Sequence, residues 1–245
     1  MDVDTAGLRR EFPALGARVH GHRLAYLDSA STSLKPRAVI DAVVRVFTQE
    51  AGNVHRGVHA LSEAATEAFD TARAEIARFL GGQPDEIVLT GGTTEAINLV
   101  AHSWGRAHVE PGDVVIATAL EHHSNLVPWQ VLCAERGATL RIAPIDDRGR
   151  LDLAALAGML DERVKLVAAC QLSNVAGTIA PIPEIAAMAH AAGAVVVVDG
   201  AQAVSHLAVD GSRADFTDRR RVPTGRAQRA FYAWQDERGL RRADR

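Results

Sequence analysis

The sequence is poor in cysteine and lysine, and it has neither a long apolar run nor a strong net charge. Its only cysteines are Cys133 and Cys170, which excludes a disulfide scaffold and predicts a cytoplasmic location. No run of about 18 apolar residues occurs, so no membrane span is expected. The start of the chain is polar and acidic, unlike a secretory signal. A net charge of −3 gives no electrostatic footprint for nucleic acid, and nucleic-acid binding is not expected.

Lysine is almost absent. Of the 27 basic residues only Lys35 and Lys165 are lysines, and the other 25 are arginines. Ten of these arginines lie in residues 213–245, where no strand or helix pattern is evident. This stretch is interpreted either as a basic, solvated tail that binds a partner or as a stretch that the fold was not built for, such as GC-rich DNA translated out of frame.

The rest of the chain alternates short apolar runs with stretches of helical spacing, and 47% of all residues are hydrophobic. The predicted strands are residues 86–90, 113–118, 139–145, 164–170 and 194–199. Helices are predicted between them at 93–104, 128–136, 151–160 and 182–192, and earlier at 36–51 and 62–80. Strands that are apolar on both faces and alternate with helices predict an α/β fold with a mostly parallel sheet flanked by helices.

Ligands of such sheets bind beyond the carboxyl ends of the strands, and polar groups follow four of the predicted strands here. Gly91 and Gly92 precede Thr93 and Thr94 at the start of a helix, where backbone N–H groups and hydroxyls can bind a phosphate. A threonine at this position is equally typical of an ordinary helix N-cap.

Asp199 ends the most apolar strand, where a carboxylate is costly without a partner such as a protonated ring nitrogen. A cap of a turn or helix is the alternative. His122 follows another strand and is suited to stacking on an aromatic ligand or moving a proton. A metal site that combines His122 with His55 and His59 is not expected, because no set of carboxylate or thiolate ligands accompanies them.

Asn174 follows the strand at 164–170, and it is interpreted either as a donor to a ring oxygen or as a turn residue before Gly177. Together the four strand ends offer a phosphate-binding loop, a histidine that can stack, an amide and a carboxylate. That combination matches a phosphorylated pyridine ring and predicts pyridoxal 5′-phosphate (PLP) as the cofactor.

Six motifs resemble the class V aminotransferase family, and within it the SufS-type cysteine desulfurases and selenocysteine lyases. They are YLDSASTSLKP, NVHRGVHALS, GGTTEAINLVAHSWG, ALEHHSNLVPWQVLC, LSNVAGTIAPI and VVVVDGAQAVSH. The resemblance implies the large domain of the PLP-transferase fold type I, incomplete and without the C-terminal small domain. It predicts an N-terminal segment at 1–25, a partial PLP-binding domain at 26–216 and a divergent Arg-rich tail at 217–245.

The resemblance also implies roles for individual residues. His122 is the implied catalytic residue, since it stacks on the ring and takes part in proton transfer. The implied cofactor-binding residues are Thr93 and Thr94 for the phosphate, Asp199 for the ring nitrogen, and Asn174 and Gln202 on the side of the phenolic oxygen. The implied substrate-side residues are Ala30, Ser31, His55 and Arg56, the last two near a dimer partner.

The chain departs from the family after Phe216. There the family continues with a Ser-x-His-Lys segment whose lysine attaches PLP covalently, and here no lysine follows Lys165. The sulfur-accepting cysteine of the family lies in the small domain. Lys165 begins a strand and should face the edge opposite the ligand, while Cys133 and Cys170 are interpreted as small buried hydrophobes. We therefore expect this chain to turn over little or no substrate.

The family reaction converts L-cysteine to L-alanine and passes sulfur to an enzyme cysteine as a persulfide for iron-sulfur cluster assembly. The resemblance thus implies L-cysteine or L-selenocysteine as substrate, a sulfur-acceptor protein and a homodimer. Two alternatives are another class V PLP enzyme, such as an epimerase or a kynureninase-like lyase, and a pseudoenzyme that acts through its basic tail.

Overall fold

The computed structural model describes residues 4–208 and the backbone of residues 230–233, with a division between two units at Arg78. The first unit holds α1 (Thr5–Arg10), a two-stranded antiparallel hairpin and two longer helices. The hairpin is β1 (Arg18–Val19) with β2 (His22–Arg23), and the helices are α2 (Arg37–Gln49) and α3 (Ala60–Leu80). Both longer helices confirm the helices predicted at 36–51 and 62–80.

The second unit is built on a five-stranded sheet in the order β4-β3-β5-β6-β7, in which every neighbouring pair is parallel. Its strands are β3 (Val114–Thr118), β4 (Thr139–Ala143), β5 (Val164–Cys170), β6 (Val195–Asp199) and β7 (Ala230–Ala233). The predicted parallel α/β architecture is confirmed.

Six α-helical segments of this unit alternate with or follow the strands. They are α4 (Thr93–Val100), α5 (Arg106–His108), α6 (Val127–Arg136), α7 (Leu153–Met159), α8 (Ile182–Ala191) and α9 (Ala203–His206). A π-helical turn at Ala101–Gly105 joins α4 to α5. The helix α6 ends where Gly137 adopts a left-handed φ of 68°, a conformation that glycine provides at helix ends.

The core lies on both faces of the sheet. Val115, Ala117 and Leu166 pack on the face that also buries Ile97 of α4 and Trp129 of α6. On the other face, the core contains Ile116, Val167 and Val196 together with Leu156 of α7 and Ile185 of α8. Successive strand residues point to opposite faces, so strands covered by helices on both sides must be apolar throughout.

Two expectations about strands are wrong. The strand predicted at 86–90 is absent: Pro84–Glu86 forms a 3₁₀ turn and the following residues join no described strand. Val88 is 70% exposed. An apolar run forms a strand only when a neighbour takes up its backbone hydrogen bonds, and the described residues provide none.

Conversely, β7 lies in the stretch where no strand was expected. Its backbone pairs with β6 from Val196↔Ala230 to Asp199↔Ala233, an interaction between distant parts of the chain. Such pairing overrides weak local preference. The remainder of the predicted Arg-rich tail lies outside the described residues. Within the described part of the chain, no helix combines the length and apolar character needed to cross a bilayer.

We expect Ile185→Ala to lower the free energy of unfolding by about 2–5 kcal/mol, because the side chain is fully buried against the sheet. The matched control is Ile179→Ala at a position 59% exposed, for which a loss below about 1 kcal/mol is expected. Urea unfolding followed by circular dichroism measures both. Equal losses in the two variants would contradict this description of the core.

Candidate functional site

The carboxyl ends of three parallel strands meet at one edge of the sheet. Thr118 ends β3, Cys170 ends β5 and Asp199 ends β6, and Cys170 is the register partner of Asp199. The segments that leave these ends contain most of the predicted site residues. This edge is therefore the candidate functional site.

Asp199 is a buried carboxylate at this edge, with only 6% of its surface exposed. Its Oδ1 accepts a hydrogen bond of 2.9 Å from the backbone N–H of Ala201. Burial raises the pKa of Asp199, while the Ala201 N–H and the nearby His122 imidazole act to lower it. The site thus holds an acid with an increased affinity for a proton, close to an imidazole.

His122 is exposed and lies at the start of the 3₁₀ turn His123–Asn125. Its Nδ1 accepts the Ser124 backbone N–H at 3.2 Å and lies 2.8 Å from the Ser124 hydroxyl oxygen. Because a backbone N–H can only donate, the neutral imidazole has its own proton on Nε2. Ser124 therefore fixes both the orientation and the tautomer of His122.

The beginning of α4 provides the second part of the site. Thr93 is 4% exposed, and its buried hydroxyl oxygen has no hydrogen-bond partner among the described residues. Gly92 precedes it with φ 152°, a conformation open essentially to glycine. The Glu95 carboxylate accepts the Gly91 N–H at 2.5 Å. Since buried polar atoms are nearly always satisfied, the Thr93 hydroxyl fits a group that supplies acceptors, such as a phosphate.

A groove of about 380 Å³ lies between α4 and α6. Thr94, His122 and His123 all line it. The groove therefore places Thr94 beside His122, and Asp199 lies near His122. Thr93 and Asp199 are not among the residues that line the groove.

Two other predicted residues lie on segments that leave the same edge. Asn174 is exposed in a turn at residues 174–176, which Gly177 closes through its N–H to the Ser173 carbonyl oxygen at 3.0 Å. Gln202 is half-buried and directly precedes α9. Their roles in binding stay predictions.

The predicted substrate-side residues Ala30, Ser31, His55 and Arg56 belong to the first unit, and all four are exposed. The His55 Nε2 lies 3.5 Å from a carboxylate oxygen of Asp70. Their roles stay predictions as well. In residues 4–208 and 230–233, no group of three or more His, Cys, Asp or Glu side chains is arranged to hold a metal ion.

Lys165, Cys133 and Cys170 do not form a nucleophilic centre at this edge. Lys165 is the second residue of β5, and its Nζ lies 3.6 Å from Asp113 at the opposite end of the sheet, which confirms the predicted orientation. Burial raises the pKa of Cys133 to about 11. It also raises the pKa of Cys170, which the neighbouring Glu121 and Asp199 carboxylates raise further. Both thiols are protonated at neutral pH.

A hydrogen-bonded group around Glu121, which was not predicted from the sequence, lies next to the site. Glu121 accepts hydrogen bonds from the Thr118 hydroxyl, the Asn125 amide and the Cys170 backbone N–H. Asn125 in turn accepts the indole N–H of Trp129. The only signal in the sequence is an acid placed shortly after a buried strand.

The fold and the polar groups at its carboxyl edge define a class of protein. The model of the aminotransferase class-V family matches residues 25–217, and the chain belongs to this family. Members of the family use pyridoxal phosphate, in agreement with the cofactor predicted from the strand ends.

Within this family, the chain is similar to cysteine desulfurases. It is 52% identical over 204 residues to the cysteine desulfurase of Dickeya dadantii, which covers 83% of this chain and 50% of the relative. Among solved structures, the cysteine desulfurase CsdA of Escherichia coli superposes with a TM-score of 0.76 at 36% identity, over 88% of this chain and 53% of that one. The cysteine desulfurase of Thermococcus onnurineus gives 0.77 at 36% identity, over 85% and 50%. The chain spans about half the length of these relatives.

The environment of the thiols predicts slow chemical modification. In the native chain at neutral pH, we expect Cys133 and Cys170 to react with a maleimide or an aromatic disulfide far more slowly than in denaturant, because burial disfavours the thiolate. Mass spectrometry of timed samples measures each rate. The same measurement in guanidinium is the control, and rapid labelling of either native cysteine would contradict the structure.

Proposed function

We propose that this chain is the cofactor-binding portion of a cysteine desulfurase and that it holds PLP at the carboxyl edge of its sheet. The observation on which the proposal rests is the buried Asp199 carboxylate beside His122 at the end of β6. The aminotransferase class-V family, whose members use PLP, supports the proposed cofactor. The similarity to cysteine desulfurases favours a desulfurase over an epimerase or a kynureninase-like lyase.

The described residues fit PLP. The phosphate is assigned to the beginning of α4, where the Thr93 hydroxyl lacks a partner among the described residues and Thr94 lines the groove. Asp199 is assigned to the protonated ring nitrogen. His122 is assigned to the ring face, and Asn174 and Gln202 to the side of the phenolic oxygen.

Bound PLP supplies an electron sink that stabilises negative charge at the α-carbon of an amino acid. The protein groups support this chemistry in distinct ways. Asp199, whose pKa burial raises, would pair with the protonated ring nitrogen of the cofactor. His122 has its proton on Nε2 and would hold or move a proton at the cofactor.

The reaction of the whole enzyme is proposed from its relatives. The Cβ–S bond of L-cysteine, or the Cβ–Se bond of L-selenocysteine, breaks as an acceptor thiolate takes the sulfur or selenium to form a persulfide or its selenium counterpart. Cβ keeps the electron pair of the broken bond and gains a proton, and alanine leaves. We assign Ala30, Ser31, His55 and Arg56 to the substrate side. A homodimer, a sulfur-acceptor protein, a role in iron-sulfur cluster assembly and a cytoplasmic location belong to the same proposal.

The 245-residue chain by itself is proposed to bind PLP without turnover. Lys165 lies at the edge opposite Asp199, and both cysteines are buried thiols with raised pKa values. A desulfurase requires a thiolate to take the sulfur.

Binding is tested by titrating the full chain with PLP and following absorbance and tryptophan fluorescence. We expect saturable binding, and Asp199→Asn should weaken it by about tenfold or more because a charge-assisted hydrogen bond becomes a neutral one. Asp147→Asn, at an exposed position, is the matched control. Unchanged affinity in Asp199→Asn would refute the assignment of Asp199.

Turnover is tested with the same PLP-loaded chain. We expect no alanine above background from L-cysteine, with or without an added reductant, because the described thiols are protonated and buried. Chromatography of derivatised amino acids gives the readout, and a complete cysteine desulfurase serves as the positive control. PLP-dependent release of alanine would overturn this part of the proposal.

A further inference from the structure

We propose that Glu121 is a positioning residue. Its carboxylate fixes His122 at the cofactor site because it hydrogen-bonds the segment that contains His122 to β5 and, through Asn125, to α6. The inference rests on the proposed function, because His122 is the residue assigned to the ring face. It concerns a side chain that has no part in the chemistry itself.

Glu121 is surrounded by donors from three parts of the fold. Its Oε1 accepts the Thr118 hydroxyl at 2.5 Å and the Cys170 backbone N–H at 2.8 Å. Its Oε2 accepts the Asn125 side-chain N–H at 2.5 Å. The Thr118 hydroxyl oxygen also lies 3.3 Å from the Leu120 backbone N–H, an interaction that directs the hydroxyl proton toward Glu121.

The direction of the Asn125 amide is fixed independently. The buried indole N–H of Trp129 donates to Asn125 Oδ1 at 3.0 Å. An indole N–H is a donor only, so the Asn125 carbonyl oxygen must face Trp129 and its NH₂ group must face Glu121. Position 121 therefore needs an acceptor on both of its terminal atoms.

These hydrogen bonds also hold the backbone of His122. The Asn125 backbone N–H donates to the His122 carbonyl oxygen at 2.8 Å, while Glu121 directly precedes His122. Cys170, the backbone donor to Glu121, is the register partner of Asp199. The Glu121 carboxylate thus joins the segment that holds His122 to the strand beside the one that ends in Asp199.

The other titratable groups near Glu121 are the Asp199 carboxylate, the His122 imidazole beside it and the Cys170 thiol. Burial raises the pKa of Glu121 to about 7, with a further increase from Asp199, and its three hydrogen bonds act to lower it. At about pH 8 Glu121 is mainly a carboxylate that accepts all three donors. Variants of this group are therefore compared at about pH 8.

The first test is Glu121→Gln, which keeps the shape of the side chain and replaces one acceptor by a donor. The new NH₂ group must face either the Asn125 NH₂ or the two donors on the other side. If Asn125 rotates to relieve the first conflict, the Trp129 indole N–H loses its acceptor. We expect the Trp129 indole signal in ¹⁵N–¹H spectra and the His122 ring signal to move, and PLP affinity to fall about tenfold.

The second test is the double variant Glu121→Gln with Asn125→Asp, which restores the pattern of donors and acceptors. The glutamine introduced at 121 accepts from Thr118 and Cys170 and donates to the aspartate introduced at 125, which still accepts from Trp129. We expect both NMR signals and the PLP affinity to return toward the wild type. If Glu121 were required only for general stability or only for its negative charge, adding Asn125→Asp would not restore the NMR signals or the PLP affinity.

Signals are assigned with Trp129→Phe and His122→Gln, and Glu162→Gln, at an exposed position, is the matched control. The proposal is overturned if Glu121→Gln leaves the two NMR signals unchanged, or if the double variant fails to restore them. Both are read without PLP. A wild-type chain that does not bind PLP would refute the proposed function, and the NMR signals would still decide the role of Glu121.

Discussion

The structure depends on how two carboxylates are accommodated at the buried carboxyl edge of a parallel sheet. Charged groups in such places are costly unless they are paired or hydrogen-bonded. Glu121 is satisfied by three protein donors, whereas the hydrogen bond found for Asp199 comes from one backbone N–H, with His122 nearby. The Glu121 carboxylate is therefore satisfied within the protein. The Asp199 carboxylate, with its raised pKa, can still accept a proton or a hydrogen bond from a protonated ligand.

The position of this edge follows from the packing of the sheet. Strands buried by helices on both faces are connected by crossovers, so every strand starts at one edge and ends at the other. Polar groups such as His122 and Asp199 thus gather at the carboxyl edge although they are far apart in sequence. The opposite edge contains the ion pair of Lys165 with Asp113, and neither residue is a predicted site residue.

Structural features that depend on short-range sequence patterns were predictable. The alternation of strands and helices, the helix end at Gly137 and the positions of Thr93, His122 and Asp199 follow from local pattern and from the rule that ligands bind at strand ends. The strand β7 and the unpaired run after Glu86 were not predictable, since a strand is defined by a neighbour elsewhere in the chain. The Glu121 group was missed for the same reason: the Cys170 N–H that it binds lies 49 residues away.

Recognition of the cofactor and transfer of sulfur place different demands on a fold. Recognition needs fixed polar groups. In the proposed function, the sheet edge provides them through the Thr93 hydroxyl, His122 and Asp199. Sulfur transfer needs a thiolate in a polar, accessible place, because burial favours the thiol. The apolar packing that makes the sheet rigid is the same environment that raises the pKa of Cys133. A buried sheet is therefore suited to holding the cofactor, and the nucleophile of such an enzyme belongs on a segment outside that core.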